Sequence, residues 1–562
     1  MAKTIRNNNW VRSAAINAVI AVTVMLCTRM VYETNDDYAV ASRIVGGYPE
    51  IVFMNYYFCD ALSAVQSRIS GLNVFVVSQL TLSFLSFFFM LKLLLDKCRD
   101  TVSLMLSAAL IAVLSIDAYC TIQFSKSAVL ACLAAAMLLT DAVINKRGFG
   151  YYLAGVVMLY AGSMMRVDVL IVAIAFAGLY FLKWMAENRS GLREYFGAKQ
   201  IVVYIVLVIA VAGCYAVKSA SNDAIRRTPE LQAYYDYNFL RAEVIDTTRL
   251  NHYEEQKEEY DAAGLSENDI GMIRSWVFDY DGAASSENLQ TIIDISDGYE
   301  DAPSMAESIP EFISGTAHRV KELTPSGARV IILTLLALTL LIAGGAPARV
   351  FVIAAGLATA VFHVYLCSIG RPVNRALFTP DVCAMFFLMY ALTDARGAEK
   401  ARKVMGVLTI IAAMLLIVPT ARDAESLYEK IRGRIMSEEL ATYIREHSNS
   451  FYAIATMEKK SDPSYLTPLR APDTEGERNF MGTGSWGTMS PYLLDKLGAY
   501  GMRNPVSDLI DNDHAYYMGN NNIEDLTEYY NKWYGGDGRV IRLEQVDEAG
   551  GVKVWKVVSG EA

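Results

Sequence analysis

The sequence predicts a polytopic α-helical membrane protein of about 11 transmembrane helices, with a helical external insertion and a mixed α/β external C-terminal domain. Three observations predict it. Hydrophobic residues make up 53% of the 562-residue chain, and the mean hydropathy is +0.26. That is too apolar for one soluble domain of this length. Apolar segments recur at 11–32, 73–95, 102–118, 127–144, 151–165, 169–187, 200–219, 328–344, 350–367, 377–393 and 404–419, and most are long enough to cross a bilayer as helices. Basic residues collect in alternate connections between these segments.

The first segment is followed by Ala39-Val40-Ala41, which resembles a signal-peptide cleavage site. Its apolar core is long for a signal peptide, and cleavage there would discard the acidic pair that follows, so the reading is a retained helix. Lys3, Arg6 and Arg12 precede it. Lys97 and Arg99 follow the second segment, and Lys146 and Arg147 the fourth. Lys183, Arg189, Arg193 and Lys199 follow the sixth, Arg349 the eighth, and Arg396, Lys400, Arg402 and Lys403 the tenth. By the positive-inside rule these connections are cytoplasmic, which puts the N-terminus inside and the C-terminus outside the cell membrane. The expected division is membrane helices over 1–219, an external helical insertion over 220–327, membrane helices over 328–420 and an external α/β domain over 421–562.

The remaining connections hold charges that orientation does not explain. Tyr32 to Pro49 (YETNDDYAVASRIVGGYP) places Asp36 and Asp37 directly after the first span. Asp117 and Lys126 flank the third-to-fourth connection, Arg166 and Asp168 a tight turn, and Arg371 and Arg375 lie in SIGRPVNR. Ionisable groups at a membrane edge are costly unless paired or hydrated, so they are functional candidates. Each has a plainer reading. Asp36-Asp37 fits a solvated turn, Arg166 can pair with Asp168, Arg375 can snorkel, and Lys126 can border its span. Their grouping on one side favours a site in which Asp36 or Asp37 is a base and the arginines hold an anionic lipid headgroup.

In the insertion, Ser266-Glu267-Asn268-Asp269 reads as a helix start, with Ile270, Ile273, Val277 and Phe278 at helical spacing. YDYNFLRAEVIDT supplies Arg241 and Asp246, and an exposed helix salt bridge is the expected role of Arg241. In the C-terminal segment FYAIAT reads as a strand, RVIRLEQV and GVKVWKVV as a hairpin around DEAGG, and GTGSWGTMSPY as a loop without phosphate-loop spacing. The net charge of −10 argues against nucleic acid as a partner. The eight cysteines avoid both polar segments, so no disulfide framework is expected, and no ligand spacing indicates a metal site.

TNDDY, the following GGYPE and FMNYYF, and GRPVNR before a late span resemble the GT-C superfamily of membrane glycosyltransferases. The resemblance implies an acidic first external loop, several further spans and a soluble external C-terminal domain. It implies transfer of a sugar from a polyprenyl-phosphate donor to a glycan, lipid or protein acceptor outside the cell. In that chemistry Asp37, with Asp36 as alternate, deprotonates the acceptor hydroxyl, while Arg371, Arg375 and Arg166, then Lys126 and Arg241, stabilise the departing phosphate. The Trp-Trp-Asp motif of oligosaccharyltransferases is absent, and Asp36-Asp37 stands where protein mannosyltransferases carry Asp-Glu. No cofactor is called for, and a divalent metal between the two aspartates is left open without being indicated. A transporter or lipid flippase, or a non-enzymatic cell-envelope binding protein, would share the architecture.

Overall fold

The structure is a computed structural model that describes residues 8–561 except 99, 248, 298–303, 396, 456–462, 475, 477 and 537. Lys3, Arg6, Arg99, Arg396 and the last residue of the FYAIAT strand lie outside the described residues. The helices of the bundle are, in chain order, α1 (Asn9–Cys27), then after β1 (Val31–Tyr32), α2 (Asn35–Gly46) and α3 (Tyr56–Gln66), α4 (Val74–Lys97) and α5 (Thr101–Tyr119). After β2 (Thr121–Ile122) come α6 (Phe124–Ile144), α7 (Phe149–Met165), α8 (Val169–Glu187) and α9 (Ala198–Ile225). Among the described residues ten helices are long and apolar enough to cross a membrane, and α7 is a shorter apolar helix of 17 residues. The chain is a multi-pass helical membrane protein.

Polar side chains mark where these helices start. Asn73 accepts from the Val76 N–H, Asp100 from Ser103 N–H, and Gln123 from the N–H groups of Ser125 and Lys126. Each satisfies a donor that the first turn leaves without an intrahelical partner. Two expectations shift. The first span ends at Cys27, not near 32, because Thr28 is extended and the chain pairs as β1 with β2. The acidic stretch is not a turn: Asp36 and Asp37 lie in the first turn of α2, which Gly47 closes in the left-handed conformation.

The insertion is helical, with α10 (Pro229–Ile245), α11 (Lys257–Ala262), α12 (Glu267–Arg274), α13 (Ser286–Asp297) and α14 (Ile309–Lys321). Ser266 forms a capping box with Asp269, and Ile270, Ile273, Val277 and Phe278 are buried. The chain then returns to the bundle as α15 (Pro325–Ala343), α16 (Ala346–Ser368), α17 (Asn374–Asp394) and α18 (Glu399–Arg432). At 34 residues, α18 spans roughly 50 Å, well beyond the ~30 Å hydrocarbon layer, so one of its ends projects past the bundle.

The C-terminal segment contains α19 (Glu438–Glu446), β3 (Phe451–Ile454), β4 (Phe480–Gly482), α20 (Pro491–Gly498), β5 (Ala515–Met518), α21 (Ile523–Tyr534), β6 (Arg539–Ala549) and β7 (Val552–Glu561). The sheet order is β4-β3-β5-β7-β6, with β3 parallel to β4 and β5, and β7 antiparallel to β5 and β6. The expected hairpin is present, but its strands run through Asp547 and Glu548. The turn is Gly550-Gly551 alone, both at positive φ (56° and 76°), as a tight two-residue connection requires.

Insertion and C-terminal segment, far apart in sequence, share one core in which Tyr237, Ile270, Phe278 and Leu289 pack with Phe451, Leu497, Leu526 and Val557. Buried Asp279 ties them: its carboxylate accepts from Tyr529 (2.9 Å), Tyr534 (2.6 Å) and Asn504 (2.7 Å). This polar body caps one end of the helix bundle. At the opposite end the connections carry the ion pairs Lys97–Asp394 (2.7 Å), Arg402–Asp100 (2.6 Å) and Arg147–Asp96 (3.1 Å).

Candidate active site

The capped end is organised by the short β1–β2 ladder. Val31 N–H donates to the Cys120 carbonyl (2.7 Å) and Glu33 N–H to that of Ile122 (2.9 Å). Two residues of pairing suffice to hold the segment Glu33–Asp37 against Thr121–Lys126 at the start of α6. Asp37 completes the junction. Its Oδ1 accepts from the Phe124 N–H (2.8 Å) and from Gln79 Nε2 (3.2 Å), and the residue is fully buried. The Phe124 N–H is one of the orphan donors at the start of α6, so Asp37 acts as an anchor for that helix terminus. Burial pushes its carboxyl well above the ordinary range, a rise that the Phe124 N–H opposes and the Asp36 charge adds to.

Asp36, one residue earlier, is only partly buried and has different surroundings. Burial raises its pKa, the Arg375 charge lowers it, Asp246 raises it, and Arg241 and Arg166 lower it. The arginines come from three parts of the chain. Arg166 follows α7 and donates to the Ser125 hydroxyl (2.9 Å) while lying 3.6 Å from Asp168. Arg241 is on α10 of the insertion, Arg371 comes from the α16–α17 connection and Arg375 from the first turn of α17. Asp246 holds two of them, Arg371 at 3.4 Å and Arg241 at 3.8 Å. Among the described residues Arg375 has no ion-pair partner within 4 Å. Burial lowers the pKa of both Arg166 and Arg241 from the usual guanidinium value. The expectation that Arg241 is an exposed helix charge is corrected: only 4% of its side chain is exposed, and it faces inward toward this cluster.

Lys126, expected among the phosphate-binding residues, belongs elsewhere. Its Nζ lies 2.6 Å from Glu33 and 2.6 Å from Asp117, and donates to Thr121 Oγ1 at 2.9 Å. Arg329 continues this network to Asp117 (3.0 Å), Asp381 (3.0 Å) and Asn374 Oδ1 (2.9 Å), and Asp381 meets His363 Nε2 at 2.9 Å. With its ammonium bonded to Asp117 and Thr121, paired with Glu33, and 1% of its side chain exposed, Lys126 is committed to neutralising Asp117 and Glu33. Arg329, His363 and Asp381 went unnoticed in the sequence because each lies inside an apolar run. A charge at such a position was the available signal.

The two clusters stand back to back. Adjacent residues face opposite ways at Ser125 and Lys126, and at Asn374 and Arg375; Glu33 and Asp36 divide in the same manner within one turn. Among the described residues no group of three or more His, Cys, Asp or Glu side chains is placed to hold a metal ion. Asp37 is already occupied by N–H donors, so the two aspartates do not form a shared carboxylate pair. No family model, no curated protein and no solved structure matches this chain.

Proposed function

We propose that the chain is an integral membrane glycosyltransferase that moves a sugar from a polyprenyl-phosphate donor to an extracytoplasmic acceptor, and that Asp36 is its base. The observation that carries this reading is a partly buried carboxylate facing arginines from α10, the end of α7 and the first turn of α17. Asp37, the first choice from sequence alone, is consumed by helix anchoring, which leaves Asp36 for the chemistry.

In the proposed reaction the Asp36 carboxylate takes the proton of the acceptor hydroxyl as its oxygen attacks the anomeric carbon. The bond from that carbon to the phosphate oxygen breaks, and the electron pair leaves with the lipid phosphate. Negative charge grows on the phosphate as it departs. Guanidinium groups match its oxygens with paired N–H donors, and a partly desolvated site strengthens each contact. Arg375, without an ion-pair partner among the described residues, has its donors available, while Arg166, Arg241 and Arg371 complete the positive wall. The basic connections at the opposite end support a cytoplasmic assignment for that end, and in this reading the polar body and the site face outward. The test is transfer of a radiolabelled sugar from polyprenyl-phosphate donors by the purified protein, compared with its Asp36→Asn and Arg375→Gln variants.

A further inference from the structure

A cavity of about 300 Å³ opens beside the buried ionic network, on the side away from Asp36. Glu33, Asp117 and Asn374 line one wall, and Asp423, Ser426 and Lys430 of α18 line the other. The α18 residues recur at spacings of three and four, so they share one helix face. They lie in the last third of a 34-residue helix, on the part that projects past the bundle at the capped end.

The charges of this cavity are nearly balanced. Lys126 and Arg329 stand behind Glu33 and Asp117, but Arg329 also serves Asp381, so two cations face three carboxylates; Asp423 and Lys430 add one charge of each sign. Among the described residues the side chains of Asp423, Ser426 and Lys430 make no hydrogen bond or ion pair. Glu33 Oε2 is buried with no hydrogen-bond donor in good geometry, although Lys126 lies close. The cavity therefore offers carboxylate and amide acceptors, an ammonium and a hydroxyl, and its small excess of carboxylate disfavours a phosphate. Its volume is at the small end for organic ligands.

We infer that this cavity binds one neutral, polyhydroxylated group, a single sugar unit, while the arginine cluster around Asp36 takes the anion. Carboxylates and amides recognise vicinal hydroxyls because each accepts from or donates to more than one of them. The ionic network fixes Glu33, Asp117 and Asn374 before a ligand arrives, which limits the ordering cost of binding. The inference deepens the transferase reading and rests on it for the fate of the sugar, but binding can be read without turnover. The donor's sugar is bonded to the phosphate that the arginines hold, so the unit bound here belongs to the acceptor, beyond the hydroxyl that reacts at Asp36.

The test uses the full chain in lipid nanodiscs and a panel of neutral methyl hexosides, with saturation-transfer NMR as the readout. Methyl phosphate and an aminohexoside serve as the charged comparisons. At least one neutral hexoside is expected to bind, and Ser426→Phe, which fills the cavity from an exposed position, is expected to weaken it about tenfold or more. Asp423→Asn, which keeps the shape, gives a smaller loss, and Asp36→Asn leaves binding unchanged. No hexoside binding by wild type, or equal binding by wild type and Ser426→Phe, overturns the inference. Stronger competition by methyl phosphate or the aminohexoside overturns the neutral-ligand assignment. If transfer is detected, a KM rise in Ser426→Phe confined to the acceptor is expected, and one confined to the donor overturns the acceptor assignment. Unchanged KM for both places the cavity outside the reaction. Absence of transfer with hexoside binding intact refutes the transferase reading and leaves the cavity assignment standing.

Discussion

In the first turn of α2, Asp36 and Asp37 carry their carboxylates into two separate environments. Asp37 is fully buried and accepts from the Phe124 N–H at 2.8 Å, whereas Asp36 is partly buried and feels Arg375, Arg241 and Arg166. Successive residues on a helix are rotated about 100° apart, so one turn presents two faces to two partners. The variants should separate accordingly. Asp36→Asn is expected to lower the transfer rate about 10²–10⁴-fold with little change in thermal unfolding. Asp37→Ala strands the Phe124 N–H and is expected to lower stability by about 1–3 kcal/mol, read as a fall in unfolding temperature in detergent.

The pH dependence follows from the same carboxylate. Burial raises the Asp36 pKa from its ordinary value, and the base must be ionised to act, so the rate is expected to climb with pH through a limb above the usual aspartate range. Arg375 lowers that pKa. Removing its charge in Arg375→Gln should therefore move the limb to higher pH as well as reduce the maximal rate. A limb that stays in place, or moves down, contradicts the assignment of Asp36.

Asp117 answers to two cations at once, Lys126 at 2.6 Å and Arg329 at 3.0 Å, with all three side chains almost wholly buried. Asp117→Ala leaves both cations short of a partner. Breaking a buried pair this way costs about 3–5 kcal/mol, so poor membrane yield or a large drop in unfolding temperature is expected. A variant that unfolds like wild type would show that water replaces the missing carboxylate.

Gly487 sits where a side chain cannot. A Cβ there would clash with Arg43 Nη2, and the Arg43 guanidinium stacks on the Trp486 ring with 3.9 Å to its centroid. Arg43 is itself buried, so its end has little room to swing away. Gly487→Ala is expected to loosen this contact between α2 and the Gly-rich loop at a cost of about 1–3 kcal/mol. Limited proteolysis of the 482–490 loop would report it.

Much of this architecture was legible in the sequence. Hydropathy located the apolar helices but not the extension of α18 from 419 to Arg432, the Ser266 capping box marked α12, and the hairpin was readable from its alternation. Two things were not. The helical character of residues 35–46 was hidden because Asn-Asp-Asp suits a turn as well as a helix start, and only tertiary packing of Val40, Ala41 and Ile44 decides. The separation of the charges into two clusters was also invisible. Ser125 and Lys126, or Asn374 and Arg375, are neighbours in sequence, and which way each faces depends on the helix phase set by the β1–β2 ladder and the bundle. Arg241 illustrates the same limit. The sequence suggested an exposed helix salt bridge, whereas its side chain is 4% exposed, shares Asp246 with Arg371 and lies 5.8 Å from the centroid of the Trp276 ring.

The central claim is that Asp36 drives sugar transfer from a lipid phosphate. The most direct measurement is single-turnover transfer of labelled sugar from a polyprenyl-phosphate panel to membrane acceptors, with wild type and Asp36→Asn compared at equal folded concentration. The account predicts transfer by wild type and loss of it in Asp36→Asn, with donor binding retained. Equal transfer by both proteins, or none by well-folded wild type across the donor and acceptor panel, would contradict it.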